Sequence, residues 1–144
     1  MPRDYLPVDV VRAVRRAARD RCGYCLRPQH LVMARLEVEH IIPRSRGGAS
    51  EAPNLWLSCP LCNRHKADRT SGTDPESGSV VPLFNPRRQR WSEHFRWSSD
   101  GLRIEGLTPT GRATVAVLRL SDDPDALTAR SYWVLAGWHP PTDA

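Results

Sequence analysis

The sequence predicts an α+β fold in two parts, a small unit held between two cysteine pairs and a helix-containing extension after it. Three observations predict it: an amphipathic stretch leading into the first Cys-x-x-C pair, a strand, loop, strand, helix order running through the second pair, and a hairpin followed by two capped helices further on.

From Val8 to Arg19, apolar residues at Val10, Val11, Val14 and Ala18 follow helical spacing and leave Arg12, Arg15, Arg16 and Arg19 on the other face. The helix is arginine-faced, and those arginines are either a solvated surface or phosphate contacts. Leu36 to Glu39 alternates as a strand, Asn54 to Ser58 reads as a second, and the Gly-containing stretch 43–53 joins them as a long hairpin loop. Pro60 suits a first helical turn, and the helix it opens is expected to stop near Gly72.

Beyond Gly72 the composition shifts to TDPESGS, which reads as a linker. The expected organisation is therefore a first domain over 1–72, a linker over 73–81 and an α+β extension over 82–144. In the extension a hairpin turns at Asp100-Gly101, one helix is capped by Thr108 with Pro109 in its first turn, and another is capped by Asp123 and ended by Gly137. Trp91, Trp97, Trp133 and Trp138 concentrate here. Because this half is nearly neutral, they are expected as core residues and not as platforms for stacked bases.

All four cysteines fall into two pairs, Cys22 with Cys25 and Cys59 with Cys62. Two such pairs complete a tetrahedral four-sulfur shell with no open position, the arrangement of a structural zinc site. Two redox motifs or two buried thiol pairs are the alternatives, and neither explains why no cysteine is left over.

The net charge is +5 with a pI near 9.5. Residues 1–70 hold 13 Lys and Arg against 7 Asp and Glu, while 71–144 hold 8 against 9. The basic half suggests a polyanion, most often nucleic acid, although basic surfaces without that role are common. No run is long enough to span a bilayer, and the N-terminal stretch lacks the apolar core of a signal peptide, so a cytoplasmic protein with no membrane partner is expected.

The string CGYC…LEVEHIIPRSRGG…NLWLSCPLCNRHK resembles the HNH nuclease family, whose ββα-metal finger cleaves nucleic acid. The shared marks run from about Cys22 to Arg69: an acid-His pair before Ile-x-Pro, a Gly-Gly loop, an Asn opening the second strand, and the cysteine pairs in place. The resemblance implies a zinc-stapled HNH finger preceded by the amphipathic helix, an endonuclease activity with a divalent ion (Mg²⁺ or Mn²⁺), DNA as the expected substrate, and 5′-phosphate and 3′-hydroxyl products. The extension resembles that of small bacterial HNH proteins.

Phosphodiester hydrolysis needs a base to activate water and a cation to neutralise charge on the phosphorane. His40 is the candidate base, since imidazole titrates near working pH. The resemblance assigns the acidic position of Glu39 to the ion. Asn54 stands where the family has its middle Asn and is expected to tie the loop backbone together. Arg44 and Arg46, with Arg64 and Lys66 on the helix, are candidate phosphate contacts.

The third letter departs from the family pattern C-x-x-C-H-x-x-K. Asn63 follows the last cysteine, and His65 comes two residues later. Two residues turn about 200° on a helix, so the two face nearly opposite ways. Register with Lys66, the one lysine beside twenty arginines, makes Asn63 the match. HNH domains of RNA-guided CRISPR nucleases also carry Asn there, and its amide oxygen suits a hard ion. His65 remains the rival catalytic residue. Two readings from other classes stand beside the nuclease: a non-catalytic zinc-dependent nucleic-acid-binding module, and a toxin-like or scaffold protein whose partner engages the extension.

Overall fold

The computed structural model describes residues 6–143. Its architecture is α+β, with three two-stranded antiparallel sheets and five helices among the described residues. The chain divides into two compact units. The first runs to Thr70 and includes Asn85–Arg87, and the second holds Ser71–Phe84 and the chain from Arg88 onward. None of the described helices is long and apolar enough to cross a membrane.

In the first unit, α1 (Val8–Ala17) buries Val14 completely. Arg15 does not stay on the polar face. Its Nη2 donates to the Leu36 carbonyl at 2.7 Å, so at least one helix arginine is spent inside the fold. Strands β1 (Glu37–His40) and β2 (Leu55–Ser58) pair antiparallel with Glu39 opposite Trp56 and His40 opposite Leu55. Leu55 and Leu57, both fully buried, form the floor of the core. The first strand extends one residue further than its alternation predicts, which makes His40 its last residue.

Helix α2 (Pro60–Lys66) starts with proline where its missing N–H costs nothing. Its cap is Cys59, whose Sγ accepts from the Cys62 N–H at 3.4 Å. The expected run to Gly72 is corrected: the helix ends at Lys66, and Ala67 turns to a φ of 51°. Residues Ser71–Thr73 are instead the strand β3 of the second unit.

The expected linker over 73–81 is also corrected. β3 pairs with β4 (Val80–Pro82), and Asp74 at the turn is completely buried. Its carboxylate accepts from Arg112 Nε and Nη2 at 2.9 and 3.0 Å, from Ser77 Oγ at 2.8 Å and from the Glu76 N–H at 3.0 Å. An arginine 38 residues away thus orders a stretch whose composition looks disordered. After the short α3 (Trp91–His94), β5 (Phe95–Trp97) and β6 (Ile104–Gly106) form the hairpin.

Helix α4 (Pro109–Leu118) is capped by Thr108 and α5 (Pro124–Leu135) by Asp123, whose side chains accept from the Gly111 N–H and from the Asp125 and Ala126 N–H groups. Arg130 of α5 is buried, donating to the Leu102 and Leu120 carbonyls and lying over Trp97. Trp91 is buried and Trp97 and Trp133 half-buried, but Trp138 is exposed, which corrects its assignment to the core.

Candidate functional site

The two Cys-x-x-C pairs meet. All four sulfurs are buried and lie within 4.8 Å of one another. Cys25 and Cys59 stand 3.8 Å apart, which matches the edge of about 3.8 Å expected for a tetrahedron with Zn–S bonds of about 2.3 Å. The thiols are unequal. Hydrogen bonds from Cys22, Cys59 and Cys62 hold Cys25 well below the ordinary thiol range. Burial pushes Cys22 well up, and hydrogen bonding with Cys22 and its neighbours does the same to Cys62. Four buried sulfurs at tetrahedral spacing fit a structural zinc ion, whose charge would balance their thiolates.

From this staple, Tyr24 reaches the strand. It lies between the first two cysteines, is fully buried, and its hydroxyl donates to Glu39 Oε1. Glu39 points inward and is only 3 % exposed. Its other oxygen, Oε2, is buried without a hydrogen-bond partner among the described residues. Lys66 Nζ stands 3.6 Å from that oxygen, beyond hydrogen-bond range, and donates instead to the Ile41 carbonyl at 3.0 Å. Burial raises the Glu39 carboxyl above its ordinary value, against the pull of Lys66 and Tyr24.

The placement of Lys66 corrects its assignment to phosphate contact. At 2 % exposure its ammonium serves the strand end and is not available to a nucleic acid.

His40 is half-buried, with its Nε2 2.9 Å from Ser50 Oγ in the loop. Asn54 holds that loop. Its Oδ1 accepts from the Ile42 N–H at 2.8 Å, and its Nδ2 donates to the Ile42 and Ala49 carbonyls at 2.9 Å each. The Gly-Gly pair belongs to the same closure. Gly47 has a φ of 85°, and a side chain on Gly48 would collide with the Ile42 carbonyl.

Helix α2 faces β1 through Asn63 and Lys66, three residues apart. Asn63 Nδ2 donates to Glu37 Oε1 at 2.8 Å, as Lys66 faces Glu39. The structure therefore brings Asn63 to the side of β1 that carries Glu37 and Glu39, with its direct bond to Glu37. His65 is half-buried. Arg44, Arg46 and Arg64 are exposed, with Arg46 Nε tied to the Asp68 carbonyl at 2.6 Å.

A divalent ion that prefers oxygen fits the donor chemistry here. Glu39 Oε2 is a buried acceptor without a donor, and Asn63, having given its nitrogen to Glu37, keeps an amide oxygen to offer. Tyr24, Glu37 and Ser50 were not singled out from the sequence. The alternation Glu37-x-Glu39 puts both acids on one face and could have pointed to Glu37, but nothing local marks Tyr24 or Ser50.

Together these features define a ββα finger beside a four-cysteine cluster, with Glu37 and Glu39 facing Asn63 and Lys66 of α2 and His40, the last residue of β1, held against the loop by Ser50. Residues 22–69, a third of the chain's length, match the family model HNH endonuclease. No curated protein and no solved structure matches the chain.

Proposed function

We propose that the protein is a metal-dependent endonuclease that hydrolyses phosphodiester bonds, with DNA in the cytoplasm as its substrate. The observation that carries this reading is the strand end itself. His40 is the last residue of β1, its ring held by a loop that Asn54 ties shut, and its neighbour Glu39 has a buried oxygen with no donor.

His40 takes the proton from the attacking water, and Ser50 orients the ring. Asn54 keeps the loop at the angle this needs. Glu39 and Asn63 hold the divalent ion, and Glu37 fixes the amide of Asn63 so that its oxygen is the one presented. When bound, that ion supplies a Lewis acid for the charge that builds on the phosphorane. Lys66 and Tyr24 balance and position Glu39. Arg44, Arg46 and Arg64 contact flanking phosphates. Attack on phosphorus breaks the bond to the 3′ oxygen, which takes up a proton and leaves, giving 5′-phosphate and 3′-hydroxyl ends. The four cysteines hold zinc and take no part in the chemistry.

The test is incubation of the protein with supercoiled plasmid, single-stranded DNA and RNA, with and without Mg²⁺ or Mn²⁺. Ion-dependent nicking is expected, falling about 10²–10⁴-fold in His40→Ala with zinc content and nucleic-acid affinity kept. Binding of every probe with no cleavage under any ion would return the non-catalytic zinc module.

A further inference from the structure

One segment from beyond Thr70 belongs to the first unit, Asn85–Arg87. It lies outside the residues matched by the family model. In a two-stranded sheet each strand keeps one edge unpaired, and the carbonyls along the free edge of β2 need donors. Leu57 O accepts from the Gly23 N–H at 2.9 Å, and Leu55 O accepts from Arg87 Nε at 3.1 Å.

Arg87 is fixed three times over. Its Nε is bonded to the strand, its guanidinium carbon lies 5.0 Å from the centre of the Trp56 ring, and its backbone N–H donates to Asn85 Oδ1 at 3.0 Å. Trp56 is fixed in turn, since a side chain on Gly23 would collide with it and with Pro86. Nη1 and Nη2 of Arg87 have no partner among the described residues, and no acid pairs with it there.

Two ordered arginines of the second unit are committed. Arg112 is spent on Asp74 and Glu76, and Arg130 on two buried carbonyls. Arg87 is ordered and still has two donors to offer. Leu55, whose carbonyl it holds, is the register partner of His40, so its anchor lies one strand spacing, about 5 Å, from the strand that carries the candidate base. A preorganised guanidinium fork matches phosphate oxygens and loses little entropy on binding them.

We propose that Arg87 binds a backbone phosphate of the nucleic acid, flanking the one that reaches His40. This rests on the nucleic-acid reading above. It makes the interface wider than the matched finger, because a residue from beyond that finger supplies one contact.

The experiment measures anisotropy of a labelled mixed-sequence DNA duplex over a series of salt concentrations, in a His40→Ala background so that nothing is cut. Arg87→Gln should weaken binding equally for unrelated sequences and lower the slope of log affinity against log salt by about one. Arg87→Lys should keep the slope, because the charge remains, while losing several-fold in affinity through the missing fork. Zinc content and melting temperature check that both variants fold, and a purely structural loss of the Leu55 bond would not move the slope. An unchanged slope in Arg87→Gln overturns the proposal, as does a lowered slope in Arg87→Lys. If the His40→Ala parent binds no duplex, single strand or RNA, the nucleic-acid reading fails first and this one falls with it.

Discussion

Glu39 in the first unit and Asp74 in the second are both buried carboxylates, and the fold treats them in opposite ways. Asp74 receives two hydrogen bonds from Arg112, one from Ser77 and one from a backbone N–H, and the Arg112 bonds lead in holding its carboxyl well below the usual range. Glu39 receives one from Tyr24, has an ammonium beyond bonding distance and leaves one oxygen without a donor, so burial wins and its carboxyl rises. A satisfied buried charge orders a chain. An incompletely satisfied one is tolerated only where the surrounding structure enforces it, and such sites gather where chemistry is done.

The comparison breaks most completely if the staple is removed. Cys59→Ser should abolish stoichiometric zinc and cooperative folding of the first unit, since the binding energy of a structural zinc, on the order of 10 kcal/mol, is folding energy. Metal analysis with a circular dichroism melt checks this, and a folded, zinc-free variant would remove the site.

A double-mutant cycle sharpens the view of Glu39. Lys66→Met leaves a buried carboxylate without its counter-charge and should cost roughly 3–5 kcal/mol in urea unfolding. The pair Glu39→Gln with Lys66→Met should recover much of that loss. Additive costs would mean that the two groups do not interact.

The helix face can be tested next. Asn63→Ala should weaken Mn²⁺ binding by calorimetry and reduce cleavage, and Glu37→Gln, which frees the amide to rotate, should weaken binding by about 10–100-fold. His65→Ala should change both by less than about threefold. An inactive His65→Ala beside an active Asn63→Ala would restore the literal spelling of His40, Asn54 and His65.

The smallest effect concerns pH. Asp74 has a lowered folded-state value, so its contribution is present above the unfolded carboxylate value near 3.9 and is lost as pH falls toward the folded one. Asp74→Asn should therefore melt below wild type at pH 7 and converge with it in acid. Glu39 has the opposite sign. Its raised value favours the fold at low pH, and that contribution is lost as pH rises through the folded value.

Local chemistry made part of this molecule legible in its residues alone. The helix caps at Thr108 and Asp123 act within three residues, the turn at Asp100-Gly101 closes on its neighbours, and the Cys-x-x-C spacing states its own ligand geometry. The strand order around His40 followed from alternation and a proline. The end of α2 did not, because Ala67 takes a positive φ that no alanine advertises. Nor did the order of the segment after Thr73, which depends on Arg112, or the role of Lys66, whose burial turns it away from solvent. Tyr24, Glu39 and Lys66 come from three separate stretches of chain, and Arg87 reaches β2 from 32 residues beyond Leu55. Sequence determined which groups exist and which short-range bonds they make. Which carboxylate is satisfied, which arginine stays uncommitted and which lysine is buried were decided only by tertiary packing, since each depends on donors and acceptors that are neighbours in space and not along the chain.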